Sequence, residues 1–261
     1  MYKYGLQMYT LRNFMKTPED LDNTLKRVAE MGYQNVQISP PAFTNAVALA
    51  AQLKGYGLSA DSAFCNVYKI PESSDDIVVA AKALGTDVLR TDSIKNADRY
   101  SIEGYKSFAE HMNVCGKLLK ENGLKFMYHF HSFEFIKLGE DVRGIDILLN
   151  ETDPEYVMFQ PDVFWLTAAG TEPSEALKMF KGRAEYMHLK DYVIVKNTTE
   201  VLEETKRASA PVGTGNLNWD GLIKTAKDIG IYNFVVEDDM GSLDPFDSAK
   251  QSIENMKKLG F

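Results

Sequence analysis

The sequence predicts an α/β fold: a closed (β/α)8 barrel of parallel strands with an outer ring of helices. Three observations predict it. A helix-period segment, a glycine and a short strand-like run recur along the chain; caps of the expected kind open the helices between them; and the glycine-rich first turn of an open doubly wound sheet is missing.

The elements follow in order. Leu6 to Tyr9 supplies the first strand, which runs on through Thr10-Leu11-Arg12 without a glycine. Thr17-Pro18-Glu19-Asp20 then places a cap, a first-turn proline and two carboxylates where the orphan N–H groups of a helix lie. Met31-Gly32 ends that helix before Asn35-Val36-Gln37-Ile38, and Tyr56-Gly57 precedes Leu58-Ser59-Ala60-Asp61. Ser73-Ser74-Asp75-Asp76 opens the next helix, Leu84-Gly85 leads into Asp87 to Thr91, and Ser101-Ile102-Glu103 opens another. Asn122-Gly123 precedes Lys125 to His131, and Tyr156 to Asp162 is the sixth strand. Thr171-Glu172-Pro173 starts a helix, Lys181-Gly182 precedes Ala184 to Asp191, Ile229-Gly230 precedes Asn233 to Glu237, and Asp244-Pro245 starts the last helix. Glycine after a helix takes the left-handed conformation without a Cβ penalty, so each marks a helix-to-strand junction. The sum is about eight strand–helix units, the number that closes a parallel barrel, in a single domain over residues 1–261. No hairpin signal interrupts the alternation. Tyr192 to Asn218 reads as a long loop at the active-site end, with a short helix around Glu200 to Lys206.

Composition narrows the function. With 44% hydrophobic and 25% charged residues the chain has the make-up of a soluble globular protein. A net charge of -8, from 37 acidic and 29 basic side chains, repels a phosphate backbone, so no nucleic-acid partner is expected. Cys65 and Cys115 are too few for a disulfide framework and lack metal-type spacing. The start, Met1-Tyr2-Lys3-Tyr4-Gly5, reaches Gln7, Thr10 and Arg12 before any signal-like apolar run, and nothing approaches the ~18 apolar residues of a membrane span. The expected location is the cytoplasm, with no membrane partner; a homo-oligomer stays open.

Chemistry in such a barrel sits where strands end. In the fifth strand, period-2 alternation puts His129 and His131 on one face, in a chain with only four histidines. Asp162 follows an apolar run at the end of the sixth. His188 and Lys190 share a face of the seventh, and the eighth stops on Glu237-Asp238-Asp239. One ion could collect His129, Asp162, His188 and Glu237, and mixed nitrogen and oxygen donors suit Mn²⁺, Zn²⁺ or Co²⁺ better than Ca²⁺. Asp238 and Asp239 read as a helix cap or solvated rim groups.

At these residues the sequence resembles the xylose-isomerase-like TIM-barrel superfamily, the sugar phosphate isomerase/epimerase group that also contains inosose dehydratases and, more distantly, endonuclease IV. The resemblance rests on Gly5 to Arg12, Tyr128 to Phe135, Asp162-Val163-Phe164-Trp165, Arg183 through His188-Leu189-Lys190-Asp191, Val212 to Trp219 and Val236 to Asp239. It implies a TIM (β/α)8 barrel with one divalent metal at its mouth, held by His129, Asp162, His188 and Glu237. Several relatives carry Glu where His129 stands, and in epimerases that Glu and the eighth-strand Glu are the two bases. Relatives also carry Glu near Gln37 and His near Ser62 and Ala63, so substrate contacts there differ. Endonuclease IV is a poor functional match, because Trp165 occupies the place of one of its metal-binding histidines.

The expected activity is a metal-dependent sugar or polyol isomerase or epimerase working through an enediolate, with Glu237 or His131 moving the proton and Lys190 donating to a substrate oxygen. Tyr9, Arg12 and Gln37 would bind hydroxyls, and Trp165 would wall the sugar ring, as could Trp219. The alternatives are metal-assisted β-elimination, of the inosose dehydratase or keto-glycoside lyase type, and a barrel that binds carbohydrate without turnover. Gly213-Thr214-Gly215 is either a phosphate cradle or a plain turn.

Overall fold

A computed structural model of the chain describes residues 3–197, 205–240 and 243–261. Its strands are β1 (Lys3–Gln7), β2 (Asn35–Gln37), β3 (Ser59–Phe64), β4 (Val88–Thr91), β5 (Lys125–His129), β6 (Val157–Gln160), β7 (Tyr186–Leu189), β8 (Asp191–Lys196), β9 (Thr205–Ala210) and β10 (Asn233–Val236). Eight of them form one sheet in the order β6-β5-β4-β3-β2-β1-β10-β7, parallel throughout. The remaining seam, between β6 and β7, is closed by a parallel bridge between Asp162 and His188. There the N–H of His188 donates to Pro161 O at 2.8 Å, and that of Phe159 to Arg183 O at 2.7 Å. The barrel therefore closes on two of the expected metal ligands.

The helices are α1 (Pro18–Glu30), α2 (Ala46–Gly55), α3 (Ile70–Leu84), α4 (Ile102–Glu121), α5 (Gly144–Glu151), α6 (Val163–Ala168), α7 (Pro173–Leu177), α8 (Trp219–Ile229) and α9 (Pro245–Leu259). Their caps are those the sequence announces: Thr17 Oγ1 accepts from the Asp20 N–H at 3.1 Å and Ser101 Oγ from the Gly104 N–H at 3.0 Å. At the other end, Gly85 closes α3 with φ 84°, which no Cβ-bearing residue adopts cheaply. Helix α3 departs from expectation. It begins at Ile70, fully buried, and the expected start at Ser73 is a kink with φ -134° and ψ 31° inside it, so burial of Ile70 holds an extra turn.

The stretch after β7 also differs. In place of a long loop, β8 and β9 pair antiparallel from Asp191↔Ala210 to Lys196↔Thr205, a two-stranded ribbon. Tyr192-Val193-Ile194-Val195 has the β-branched character of a strand and recruits Thr205–Ala210, whose own composition carries no such signal. Of the helix expected around Glu200 to Lys206, residues 200–204 lie outside the described residues, and Thr205 and Lys206 belong to β9.

Side chains such as Leu6, Val36, Leu89, Phe126, Phe159 and Phe234 pack the sheet against the helices in one large core. A second cluster, Val88, Met127, Tyr186 and Val235, fills the barrel interior. Gly5 leaves room in that interior for Asp61: a Cβ at Gly5 would lie 3.1 Å from Asp61 Oδ2. Burial, with Asp87 adding and Lys3 opposing, pushes the Asp61 carboxyl up to about 7. A raised folded-state value favours the protonated acid, so its contribution is full below pH ~4 and is lost as pH rises through about 7. Asp61→Asn, which mimics the protonated form, should therefore gain about 2–4 kcal/mol on the natural protein between pH 5 and pH 8. Parallel melting curves at the two pH values check this, and a gap that does not change with pH would contradict it.

Candidate metal centre

Four strand ends bring four donors together. His129 is the last residue of β5, Asp162 follows β6, His188 lies in β7 and Glu237 follows β10. All four are buried, and one ligand-type atom from each lies within 4.8 Å of the others. The His129 and His188 rings are 4.5 Å apart, and His188 Nδ1 lies 3.2 Å from Glu237 Oε2 and 3.8 Å from Asp162 Oδ2.

The surroundings orient each donor inward. His188 Nε2 is 2.7 Å from Gln37 Oε1, an oxygen that also accepts from Arg90 Nη1 at 2.9 Å. Because guanidinium can only donate, that atom is the amide oxygen, so His188 carries its proton on Nε2 and turns the Nδ1 lone pair to the cluster. His129 Nδ1 lies 3.3 Å from the carbonyl of Gln160, which fixes the opposite tautomer and frees Nε2. Asp162 divides its carboxylate. Oδ1 caps α6, accepting from the Phe164 and Trp165 N–H groups at 2.8 and 3.3 Å, while Oδ2 is buried with no hydrogen bond among the described residues. His188 Nδ1 is orphaned in the same sense.

Burial holds the His129 imidazole well below its ordinary pKa, reinforced by His188 and His131, so it is the neutral form that a metal requires. Burial also lowers His188, against the pull of Glu237. The Asp162 carboxyl is pushed up to about 8, by burial first and the Glu237 charge next. Burial works against the Glu237 carboxylate too, but the positive charges around it, the Lys190 ammonium among them, outweigh it and keep it ionised. Two orphaned lone pairs aimed at one another across two imidazoles and two carboxylates fit a divalent cation, which would relieve the crowding of like lone pairs. Gln37→Leu, which strands the His188 Nε2–H and Arg90 donors, should weaken zinc affinity by about 10–100-fold in a chelator competition; unchanged affinity would remove Gln37 from the support of the site.

A cavity of about 540 Å³ opens above the cluster. Its wall includes His129, Glu237, His131 and the four residues expected to touch substrate, Tyr9, Arg12, Gln37 and Trp165. The His131 ring lies 4.8 Å from that of His129 and packs against Phe133 and Trp165 at 5.4 and 5.0 Å; burial brings its pKa down to about 4. Glu134 fixes the turn that carries it, accepting from the Tyr128 hydroxyl and from the His131 N–H. Gln37 is 1% exposed, its amide oxygen committed to His188 and Arg90. Lys190 does not line the cavity. It is paired with Asp239 at 2.5 Å and lies over the rings of Phe164 and Trp165 at 5.2 and 4.9 Å. Burial would lower its pKa, but Glu237, Asp162 and Asp239 hold it above the ordinary value.

Asp238 and Asp239 are not solvated rim groups. Asp238 is buried and accepts from Ser248 Oγ at 2.6 Å, and Asp239 is the partner of Lys190. The Gly213-Thr214-Gly215 segment is a turn whose N–H groups are already used: Gly213 and Gly215 donate to Asp191 Oδ2 at 3.0 and 2.9 Å, beside the Trp219 indole at 2.7 Å. That bond places Trp219 in the core, away from the cavity. The residue missed from sequence is Arg90, 5% exposed in β4, paired with Asp92 at 3.0 Å and lining the cavity. A lone guanidinium inside a four-residue buried strand was its signal, since such a charge must be partnered.

Comparison with known proteins agrees with the barrel fold. The family model described as xylose isomerase-like TIM barrel matches residues 25–259. An inosose dehydratase of Mesomycoplasma hyopneumoniae (strain 7448) is 27% identical over 192 residues, which are 65% of this chain and 62% of that one. The chain thus matches under two thirds of the length of this curated relative. Among solved structures, a sugar phosphate isomerase/epimerase from Parabacteroides distasonis ATCC 8503 superposes with a TM-score of 0.80 at 21% identity, covering 98% of this chain and 93% of that one. The IolI protein with a bound zinc atom does so with a TM-score of 0.70 at 15% identity, covering 98% and 97%. No helix among the described residues is long and apolar enough to cross a membrane.

Proposed function

The chain belongs to the xylose isomerase-like TIM barrel family, and from that premise we propose that it is a metal-dependent lyase acting on a keto-polyol or keto-sugar. It takes the proton from the carbon next to the carbonyl and expels the substituent one carbon further on.

The observation that carries this reading is how few bases face the cavity. Of the four clustered donors, Glu237 is the carboxylate on the wall, while Asp162 is fully buried and half committed to its helix cap. The other wall carboxylates, Asp92 and Asp239, are ion-paired with Arg90 and Lys190. Epimerisation generally needs an acid and a base on opposite faces of the reacting carbon, whereas elimination needs one base and one donor to the leaving group. His129 in place of a second carboxylate points the same way. The dehydratase relative supports it; the fold is shared equally with a protein called an isomerase/epimerase.

His129, Asp162, His188 and Glu237 would hold one divalent ion, Zn²⁺ or Mn²⁺ by donor type, which when bound supplies Lewis-acid polarisation of the substrate carbonyl. Glu237 takes the proton at carbon. His131, which also lines the cavity, serves the departing oxygen. Trp165 stands on the wall beside these groups, where its ring can pack against the substrate.

Incubating the metal-loaded protein with an inosose in D₂O tests this. The expected result is the ultraviolet absorbance of an enone rising in step with loss of water. Carbon-bound deuterium with epimer or aldose formation and no enone moves the assignment to an isomerase, and inertness toward a panel of ketoses to a carbohydrate-binding barrel.

A further inference from the structure

We propose that the outward face of α2 and α3 joins two copies of the chain in an antiparallel two-fold dimer. α2 links β2 to β3 and α3 links β3 to β4, so both are crossovers between parallel strands and run side by side in one direction. A groove of about 550 Å³ lies between them on the outside of the barrel. Val47, Ala48 and Ala51 of α2 and Val79, Ala80 and Ala83 of α3 line it.

This face is apolar where the outer ring is elsewhere charged. Six of the thirteen residues of α1 carry a charge, whereas α2 has one in ten, Lys54, near its end. Val47 is 66% and Val79 67% exposed, the two most exposed valine, leucine or isoleucine side chains among the described residues. Standing on adjacent helices along one groove, they make a patch of the kind that marks an interaction surface, and the alanines between them let another helix approach closely.

The charges at the ends of α3 select a second copy as the occupant. Asp75, Val79 and Lys82 are spaced four and three residues apart and so share one stripe of the helix, with an acid at its start and an ammonium at its end. Asp75 and Lys82 are exposed and make no ion pair among the described residues, unlike Lys120, Lys125 and Lys178, which are paired with Glu155, Glu185 and Glu175. A two-fold axis parallel to the helices would lay acid on acid and lysine on lysine. An axis across them, passing close to Val79, runs α3 antiparallel to its own copy and sets Asp75 against the partner's Lys82 on both sides of the centre. The same rotation lays the valine and alanines of α2 on their own copies. The ten residues of α2 are about 15 Å long and two helices about 20 Å wide, so each copy buries roughly 300 Å². That is well under the ~800 Å² per partner of a standard interface, and the dimer is accordingly weak, half-dissociated at about 100 μM.

Sedimentation equilibrium from about 10 μM to about 1 mM reads this directly, and the average mass of the natural protein should rise from that of one chain toward that of two. Val79→Glu and Val47→Glu, which put charge into the contact, should each weaken association more than tenfold. Lys82→Glu should weaken it about tenfold, since each symmetric pair becomes a repulsion, and Asp75→Lys combined with Lys82→Glu should restore it. Val114→Glu, at an exposed valine of α4 outside the groove, should change nothing. These side chains are all exposed, so melting curves at about 10 μM, where the chain is monomeric, should show every variant folded. A natural protein that stays monomeric up to about 1 mM would overturn the proposal and leave the groove to a different partner. A dimer that survives both valine variants would place the contact elsewhere and overturn it too, and a double charge variant no tighter than Lys82→Glu would overturn the antiparallel arrangement. No substrate enters the measurement, so its failure leaves the lyase reading untouched.

Discussion

Glu237→Gln is expected to slow proton removal from a bound ketose by about 10³-fold, with zinc still bound when the metal is supplied in excess. The substitution keeps volume and one oxygen donor while deleting the charge that makes the side chain a base. Its folding cost is contained, because Lys190, the cation that Glu237 faces, retains Asp239 at 2.5 Å. His188 retains its Nε2–H bond to Gln37 at 2.7 Å, so the tautomer that presents Nδ1 survives. Two measurements separate base from ligand: turnover of an inosose at saturating zinc, and metal content by mass spectrometry. A variant that holds stoichiometric zinc and keeps more than a tenth of the natural rate would pass the proton-transfer role to His131, which also lines the cavity and is not ion-paired.

What could be read in advance followed from how local each signal was. The alternation of side chains in β5 aims His129 and His131 at one cavity, and the run of apolar residues before Asp162 and Glu237 marks where strands give way to loops. Glycine junctions and caps are equally local, which is why the barrel was legible. Bonds between distant segments were not. Gln37 meets His188 across 151 positions, and no periodicity in either strand announces it. Arg90 sits in a strand of four residues, too short for a pattern, and only the closed barrel brings it Gln37 from 53 positions away. Asp191 explains the turn at Gly213 and Gly215 through bonds spanning 22 and 24 positions, and β9 is a strand because β8 pairs with it. In each case the deciding energy comes from a contact that folding creates, not from the residues that make it.

Asp162 joins the two kinds of information, and its variants should separate them. One oxygen holds the first turn of α6, a helix of only six residues that depends on its cap and carries Trp165 to the cavity wall; the other faces the cluster. Asp162→Ala loses both functions, whereas Asp162→Ser keeps a hydroxyl able to accept from the Phe164 N–H but is too short and uncharged to serve as a ligand. In metal-free protein the serine variant should be more stable than the alanine variant by about 1 kcal/mol. Since neither carries the carboxyl group, its titration drops out of that comparison. On adding zinc at about 100 times its dissociation constant, the natural protein should gain about 2.7 kcal/mol, and both variants should lose most of that gain. Thermal melts with and without metal measure the two differences independently. Equal stability of the two metal-free variants would mean the cap does nothing for α6, and a full zinc-induced shift in Asp162→Ser would mean the ion is held without this carboxylate.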